Sequence, residues 1–305
     1  MTTEAATGNP ISIETSGTVF SLPYFVARDE GYFAAEGLDV AFVPRDGDKA
    51  PASVAPIEDH HLVSSFGARS PFEAGETQLY RACEWGQVRR SYDSERGGRV
   101  IAKRSAVASQ AIFVRPDDPA SIPQDLAGRT VGVNFHHGSH YIAIQSLEGF
   151  LNDDEIKIVH AGGPQARFEA LRDGTIDSAA LMEPWIAVAE KLGYKLIVEA
   201  HYVGTEIAGP ELSEDTFAAI NRAVSRAARK LTENPRPYLH YLIADVPAEI
   251  TRLEPGDFRV GRLRYVDPAP YSQKDFQRTY DWMVKWGLIG SDGGFGSLVD
   301  NRIAV

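Results

Sequence analysis

The sequence has a single cysteine, Cys83, in 305 residues. A lone cysteine excludes an intrachain disulfide, so no disulfide framework can set the fold or point to a compartment. Basic clusters are equally scarce. Nothing longer than Val-Arg-Arg at 88–90 appears, and 31 Lys and Arg stand against 42 Asp and Glu, for a net charge of -11. No nucleic-acid partner is expected, because phosphate binding needs a basic face. No uninterrupted apolar run approaches the roughly 20 residues that cross a bilayer, which speaks against membrane insertion. The first ten residues carry Glu4, no basic residue and no apolar core. That is the opposite of a secretory leader, so the expectation is a cytoplasmic protein, and a periplasmic or lipid-anchored one only if a signal has been removed.

What is present is an ordinary globular composition, 43% hydrophobic and 24% charged, on a length that fills one large or two medium domains. The most informative stretch is Val131-Gly-Val-Asn-Phe-His-His-Gly-Ser-His-Tyr-Ile-Ala-Ile-Gln-Ser-Leu-Glu-Gly-Phe150. It reads as a buried strand, a glycine turn and a helix opening at about His140. Gly138 lets the turn tighten, Ser139 can cap, and the helix start offers free N–H groups backed by the dipole, a setting that suits an anion. His136, His137 and His140 crowd the same turn and could hold or move a proton. Their His-His-x-x-His spacing is not the His-Glu-x-x-His of zinc proteases, and Gly138 should break the helix between His136 and His140. No metal is expected, and no cofactor.

Before this stretch, Ile11 to Thr15 alternates as a strand, and 22–31 reads as a helix ending at Gly31. A short helix and a second strand follow over 32–43, then a loop over 44–59, with residues 1–10 expected to be disordered. Leu62-Val-Ser-Ser65 reads as a brief strand, 71–83 as a helix capped by Ser70, and 89–99 as an exposed polar excursion. Strands are expected at 99–103 and 111–115. From there to residue 200 the pattern is β-α-β-α-β-α-β, a parallel-sheet signature complete in itself. The remainder, at 213–245, 257–264 and 273–288, is mainly helical, with a strap at 265–271. The economical arrangement is two α/β lobes around a cleft: 1–110 begins the first lobe, 111–200 is inserted as the second, and 201–305 completes the first. The crossings are expected near 105–112 and 198–206.

Five segments in order resemble one family: Asp29-Glu-Gly-Tyr-Phe-Ala-Ala-Glu-Gly-Leu-Asp-Val40, Asp125-Leu-Ala-Gly-Arg-Thr-Val-Gly-Val133, Gly138-Ser-His-Tyr141, Leu171-Arg-Asp-Gly-Thr-Ile-Asp-Ser178 and Met182-Glu-Pro-Trp185. They look like the signature segments of the NMT1/THI5-like and sulfonate, nitrate and taurine solute-binding proteins, over about residues 10–290. The resemblance implies a type II periplasmic-binding-protein fold holding a small, often anionic ligand between hinged lobes. Its ligand wall would include 18–24, 65–69, 137–141 and 183–185. The stretch from Ile112 to Arg129, and Phe66-Gly-Ala beside Arg69, also resemble the 2'-hydroxybiphenyl-2-sulfinate desulfinase. That enzyme has a cysteine near its first loop where this chain has Thr18, and Cys83 is expected in a helix away from that loop. The cysteine-rich run of the pyrimidine synthases of thiamin biosynthesis is absent too.

The candidate ligand contacts are therefore Thr18, Tyr24, Arg69, Gly138, Ser139, Tyr141, Glu183 and Trp185. Arg69 offers a fork to an acid group, and Tyr24 and Trp185 offer faces to a planar one. His60, His61, His137 and His140 are the candidate acid–base residues. The first reading is a cytoplasmic enzyme, a lyase or hydrolase, acting on a small organic anion or heteroaromatic acid. The alternative is the non-catalytic binding component of an ABC-type importer, of sulfonate, nitrate, taurine or pyrimidine-precursor type and partnered by importer subunits, or a cytosolic sensor.

Overall fold

The computed structural model describes residues 10–15, 17–44, 56–67 and 69–303. The first half comprises β1 (Ile11–Thr15), α1 (Thr18–Asp29), α2 (Tyr32–Ala35), β2 (Val40–Pro44), β3 (Leu79–Cys83), α3 (Glu84–Asp93) and β4 (Arg99–Val114). The middle alternates through β5 (Thr130–Val133), α4 (Gly138–Leu147), β6 (Lys157–His160), α5 (Pro164–Arg172), β7 (Ser178–Leu181), α6 (Trp185–Lys191) and β8 (Lys195–Ala208). The chain closes with α7 (Glu214–Glu233), α8 (Leu239–Ala244), β9 (Arg264–Tyr265), α9 (Gln273–Lys285) and α10 (Phe295–Leu298).

These elements form where local chemistry asks for them. Ser213 caps α7 by accepting from the Thr216 N–H at 3.2 Å, and Glu214 and Asp215 sit on the positive end of its dipole. Phe217, Ile220, Val224 and Leu231 recur at helical spacing and are all buried. Gly31, Gly128, Gly174 and Gly193 each adopt a positive φ at the turns that end their segments, which side chains disfavour.

Strands join into one sheet in the order β2-β1-β3-β8-β4-β7-β5-β6, with β9 on β4. β1 runs parallel to β2 and β3, and β5 runs parallel to β6 and β7, so both halves repeat the same second-first-third order. The expected separation of 111–200 into its own sheet does not hold. β4 and β8 pair antiparallel from Arg99 opposite Ala208 to Val114 opposite Lys195, and both expected crossings lie inside this ribbon. Backbone groups that a bare linker would leave to solvent are satisfied there by a ladder. The middle does keep its own parallel trio, joined by α4 and α5.

Other expectations shift for identifiable reasons. The helix expected over 71–83 is a turn followed by β3, whose five residues are all buried between β1 and β8. A fully buried strand does not alternate, and the capping signal of Ser70 and Pro71, which here opens only a turn, suggested a helix. The polar excursion at 89–99 is mostly α3 and the start of β4. Residues 18–21, expected as loop, are already helical, and the brief strand at 62–65 is a 3-10 turn, His60–Leu62, with bends. The segment 257–264 is 3-10 turns before β9. The disordered start and most of the loop at 44–59 lie outside the described residues. Past that loop, Ile57 forms a two-way bridge to His160, 3.2 and 2.7 Å, so first-half chain is fastened to the edge of β6.

The two halves also meet through Glu148, at the C-terminal end of α4. A carboxylate there opposes the helix dipole, yet it accepts the indole N–H of Trp282 in α9 at 2.8 Å and of Trp286, just past its end, at 3.0 Å. Glu148→Ala should strand both donors and destabilise the protein by about 1–3 kcal/mol in denaturant unfolding, with Glu148→Gln recovering part of the loss. Equal stability of the wild type and the Ala variant would show that the indoles are satisfied by water.

Candidate functional site

In an open parallel sheet, ligands bind beyond the carboxyl ends of the strands, where helix N-termini gather. Here the two parallel trios direct those ends toward a shared cavity of about 520 Å³, a size that suits a small molecule. Thr15 and Thr18 reach it from the β1–α1 junction, Cys83 from the β3–α3 junction, Asn134, Gly138 and Ser139 from the β5–α4 junction, and Gln165 and Arg167 from α5. Gln110 and Tyr202 enter from the β4–β8 ribbon, and Phe20, Met182 and Trp185 supply apolar surface.

The electrostatics are those of an anion site. The N–H groups of Gly138 and Ser139 have no acceptor within α4, and the N-termini of α1, α3, α4 and α5 all open on the cavity. The Ser139 hydroxyl accepts from the Asn134 N–H at 2.9 Å, holding the turn before the helix, while the cap position itself belongs to His137. Arg167, 1% exposed, donates Nε to the Ala180 carbonyl at 2.8 Å and Nη1 to the Gly162 carbonyl at 2.7 Å. Those bonds fix a guanidinium in the cavity wall of a protein whose net charge is strongly negative. Asp245 is the one other charged lining side chain among the described residues.

Of the residues expected at the ligand, Thr18, His137, Gly138, Ser139 and Trp185 line this cavity. Trp185 also packs on Phe168 at 5.5 Å, serving core and cleft together. Others are turned elsewhere. Arg69 faces solvent and pairs with Glu76 at 2.7 Å. Tyr24 lies on the sheet side of α1, its hydroxyl donating to Glu206 and its ring under the Arg81 guanidinium at 3.4 Å. Tyr141 is fully buried and stacked on Trp85 at 5.8 Å. Glu183 is buried behind α6, where its carboxylate accepts the Ala187 N–H at 3.2 Å, with Arg262 at 3.8 Å. Burial pushes its pKa up to about 7.

The histidines gather as expected, but behind the cleft. His60 stands 5.6 Å from His136 and 5.9 Å from His140, ring to ring, and His61 stacks on its outer side, exposed. Their packing surface is Phe135, 4.8 Å from His140 and 5.4 Å from His160. His136 Nε2 donates to the His60 carbonyl at 2.9 Å, and His140 Nδ1 accepts the His136 N–H at 3.2 Å. Only His137 of the acid–base candidates reaches the cavity, and both its nitrogens are engaged. Nδ1 donates to the Phe135 carbonyl at 2.9 Å, which leaves Nε2 to accept from Arg90 at 3.2 Å. A ring held in that tautomer is neutral and has no lone pair free to serve as a base. Among the described residues no three His, Cys, Asp or Glu are placed to share a metal ion.

Cys83, Gln110, Arg167 and Tyr202 were not anticipated. Cys83 was assigned to a helix, and 104–110 to no element at all. For Arg167 a signal existed: it shares a helical face with Ala170 and Leu171, so its stripe points inward. The Cys83 thiol accepts the Gly86 N–H at 3.3 Å, and burial raises its pKa, keeping it protonated.

No family model matches the chain, and no curated protein does. Solved structures do. What the fold defines is a periplasmic binding protein architecture. The chain is similar to the alkanesulfonate-binding protein SsuA from Xanthomonas axonopodis pv. citri bound to MOPS, with a TM-score of 0.70 and 14% identity over 96% of this chain and 97% of that one. It is also similar to the Candida albicans CA3427 gene product, described as having the generic periplasmic binding protein fold, at 0.67 and 12% over 96% of each. A third likeness is to a mutant of DSZB in complex with biphenyl-2-sulfinic acid, at 0.58 and 15% over 92% of this chain and 94% of that one. At these identities the likeness is one of fold, and it agrees with the resemblance read from the five sequence segments.

Burial pulls the pKa of His136, 1% exposed, down to about 4, and lowers those of His140, His60 and His160 as well. The unfolded chain takes up these protons near pH 6.5 while the folded protein refuses them, so stability is lost as pH falls from about 6.5 toward 4. For His136 alone the loss is on the order of 3 kcal/mol across that window. Denaturant unfolding at pH 7.5, 6 and 5 should show the decline, and His136→Asn, whose side chain tolerates the positive φ of 59° there, should flatten it. A slope unchanged by the substitution would mean that the folded ring takes up its proton as readily as the unfolded chain does.

Proposed function

We propose that this protein is a solute-binding protein that captures one small organic anion between its two halves and does not transform it. The observation behind this is the composition of the cleft wall. It offers helix N-termini, amide and hydroxyl groups and a fixed guanidinium, while its single histidine has both nitrogens occupied. Such a wall recognises charge and shape, and among the described residues it has no paired acid and base with which to move a proton. Apolar Phe20, Met182 and Trp185 suit the body of an organic molecule better than a bare inorganic ion. Neighbours named for an alkanesulfonate and carrying a sulfinic acid support sulfur oxyanions and carboxylates as the acids to try first. Under this reading the partners are importer subunits or, for a cytoplasmic protein, whatever reads the closed form.

A catalytic reading rests on Cys83, whose thiol borders the cavity. Its burial and protonation disfavour the thiolate that a nucleophile needs. Incubating the protein with each anion that binds, followed by mass spectrometry of the ligand, separates the two readings. Unchanged ligand supports capture, and a product lost in Cys83→Ser would establish an enzyme.

The cleft also makes a sharp demand at Gly138. A methyl group there would stand 2.0 Å from the hydroxyl of Tyr202, which lines the cavity, so that ring must shift. Gly138→Ala should weaken calorimetric binding of the anion at least about tenfold, some 1.4 kcal/mol, while Arg69→Ala, outside the cleft, should leave it unchanged. The reverse ranking of the two variants would move the site away from α4.

A further inference from the structure

Most deeply buried arginines of this chain have an evident place for their charge. Arg90 donates to the Ser65 and His136 carbonyls, Arg167 to those of Ala180 and Gly162, and Arg262 forks onto Glu190 and Glu199. Arg104 is different. It is 1% exposed, and Nε, Nη1 and Nη2 are all buried without a hydrogen-bond partner among the described residues. A buried, unpaired cation is among the most costly groups a fold can carry.

Its position explains what the charge faces. The register of β4 against β8 slips between Lys103 and Val107, and such a bulge re-aims the side chains within it. The Arg104 guanidinium lies over the Phe20 ring at 4.1 Å and fills the space above Gly204. A methyl on Gly204 would meet Arg104 Nε at 1.8 Å and the Ala82 carbonyl at 2.2 Å. Phe20, Ala82, Cys83 and Tyr202 all line the cleft. The ionisable groups that act on Arg104 include Tyr202, Cys83, Glu206 and Tyr24, with Arg81 and Tyr265 also in its field. Glu206 already accepts the Tyr24 hydroxyl. Just beneath the cleft lining, the Arg104 guanidinium thus has no hydrogen-bonded counter-charge among the described residues.

We propose that the ligand of this cleft carries two negative charges and that Arg104, at the floor beside Phe20, Cys83 and Tyr202, answers the second of them. The first is held at the N-termini of α4 and α5 with Arg167. The inference rests on the reading of the protein as a binder of small organic anions and adds the charge of the ligand to it. Two chemistries deliver that charge, a doubly ionised head group such as a phosphonate, or two separate acids as in a dicarboxylate.

The test uses matched probes on the full chain at pH 8: ethanesulfonate against ethylphosphonate, and propionate against succinate, titrated by calorimetry into wild type, Arg104→Met and Arg104→Lys. The expected result is at least one dianion binding ten times or more tighter than its partner monoanion. Preference for ethylphosphonate identifies the head group, and preference for succinate identifies two acids. Arg104→Met should bring the pair to parity, while Arg104→Lys, which keeps the charge, retains the preference. Ligand-free Arg104→Met should also melt at a higher temperature than wild type, because the unpaired cation is gone, a gain that a merely structural arginine would not give. Monoanions bound as tightly as dianions by wild type would overturn the inference and leave the anion-binding reading standing. So would a dianion preference that survives in Arg104→Met, or a lower melting temperature for that variant together with an unchanged preference, as expected of a guanidinium satisfied by water. Failure of every probe to bind would count against anion binding itself, and this inference would fall with it.

Discussion

The antiparallel ribbon of β4 and β8 is the constraint on which the other features depend. Its ladder runs from Arg99 opposite Ala208 to Val114 opposite Lys195, through both halves of the molecule. One end takes up β3 and the other takes up β7, so the two parallel trios grow from a common spine and bring their carboxyl ends to one cavity. A spine that is interrupted three times in register bends more readily than a continuous one. The slip between Lys103 and Val107 falls where the halves meet, and β9 and Ala269 stitch the same stretch to the C-terminal region.

Charge is distributed in two layers around that cavity. Its wall presents N–H groups and a guanidinium anchored by backbone carbonyls, the preorganised donors that hold an anion without rearranging. Behind the wall, Arg104 apart, charge is mostly suppressed or paired. The histidines around Phe135 are kept neutral by burial, and Arg262 gathers Glu183, Glu190 and Glu199 into one cluster. This second layer fixes geometry: Arg90 sets the tautomer of His137, and the His60 carbonyl holds His136 at the start of the turn. The same histidines that invited an acid–base reading thus serve to position the turn that opens α4.

Much of the fold could be read locally. The strand–turn–helix at 131–147, the helices capped by Ser213 and Ser272, and the glycine-ended α5 each follow from residues within a few positions of one another. The site was legible only where it coincided with such a junction. Thr18, Gly138, Ser139 and Trp185 stand at helix starts and line the cavity. Arg69, Tyr24, Tyr141 and Glu183 turn away from it, because the side of a turn or helix that faces the cleft depends on its packing partner.

By itself the sequence determined the alternation of strands and helices, the low positive charge, the anion-suited turn at Gly138 and the likeness of fold borne by five ordered segments. These rest on capping, periodicity and backbone conformation, which act over a few residues. Only the tertiary structure decided that the two halves share one sheet, that Cys83 and Arg167 reach the cavity, that the histidines packed around Phe135 stand behind it, and that Arg104 is buried with no hydrogen-bond partner among the described residues. Each of those facts turns on which groups meet across long separations, Gly204 over Arg104 or the Ala180 carbonyl at Arg167, and burial is a property of that meeting. An arginine looks alike in the sequence whether it lies in water, in a salt bridge or at the floor of a cleft; its desolvation, and hence its use, is set by its neighbours in space.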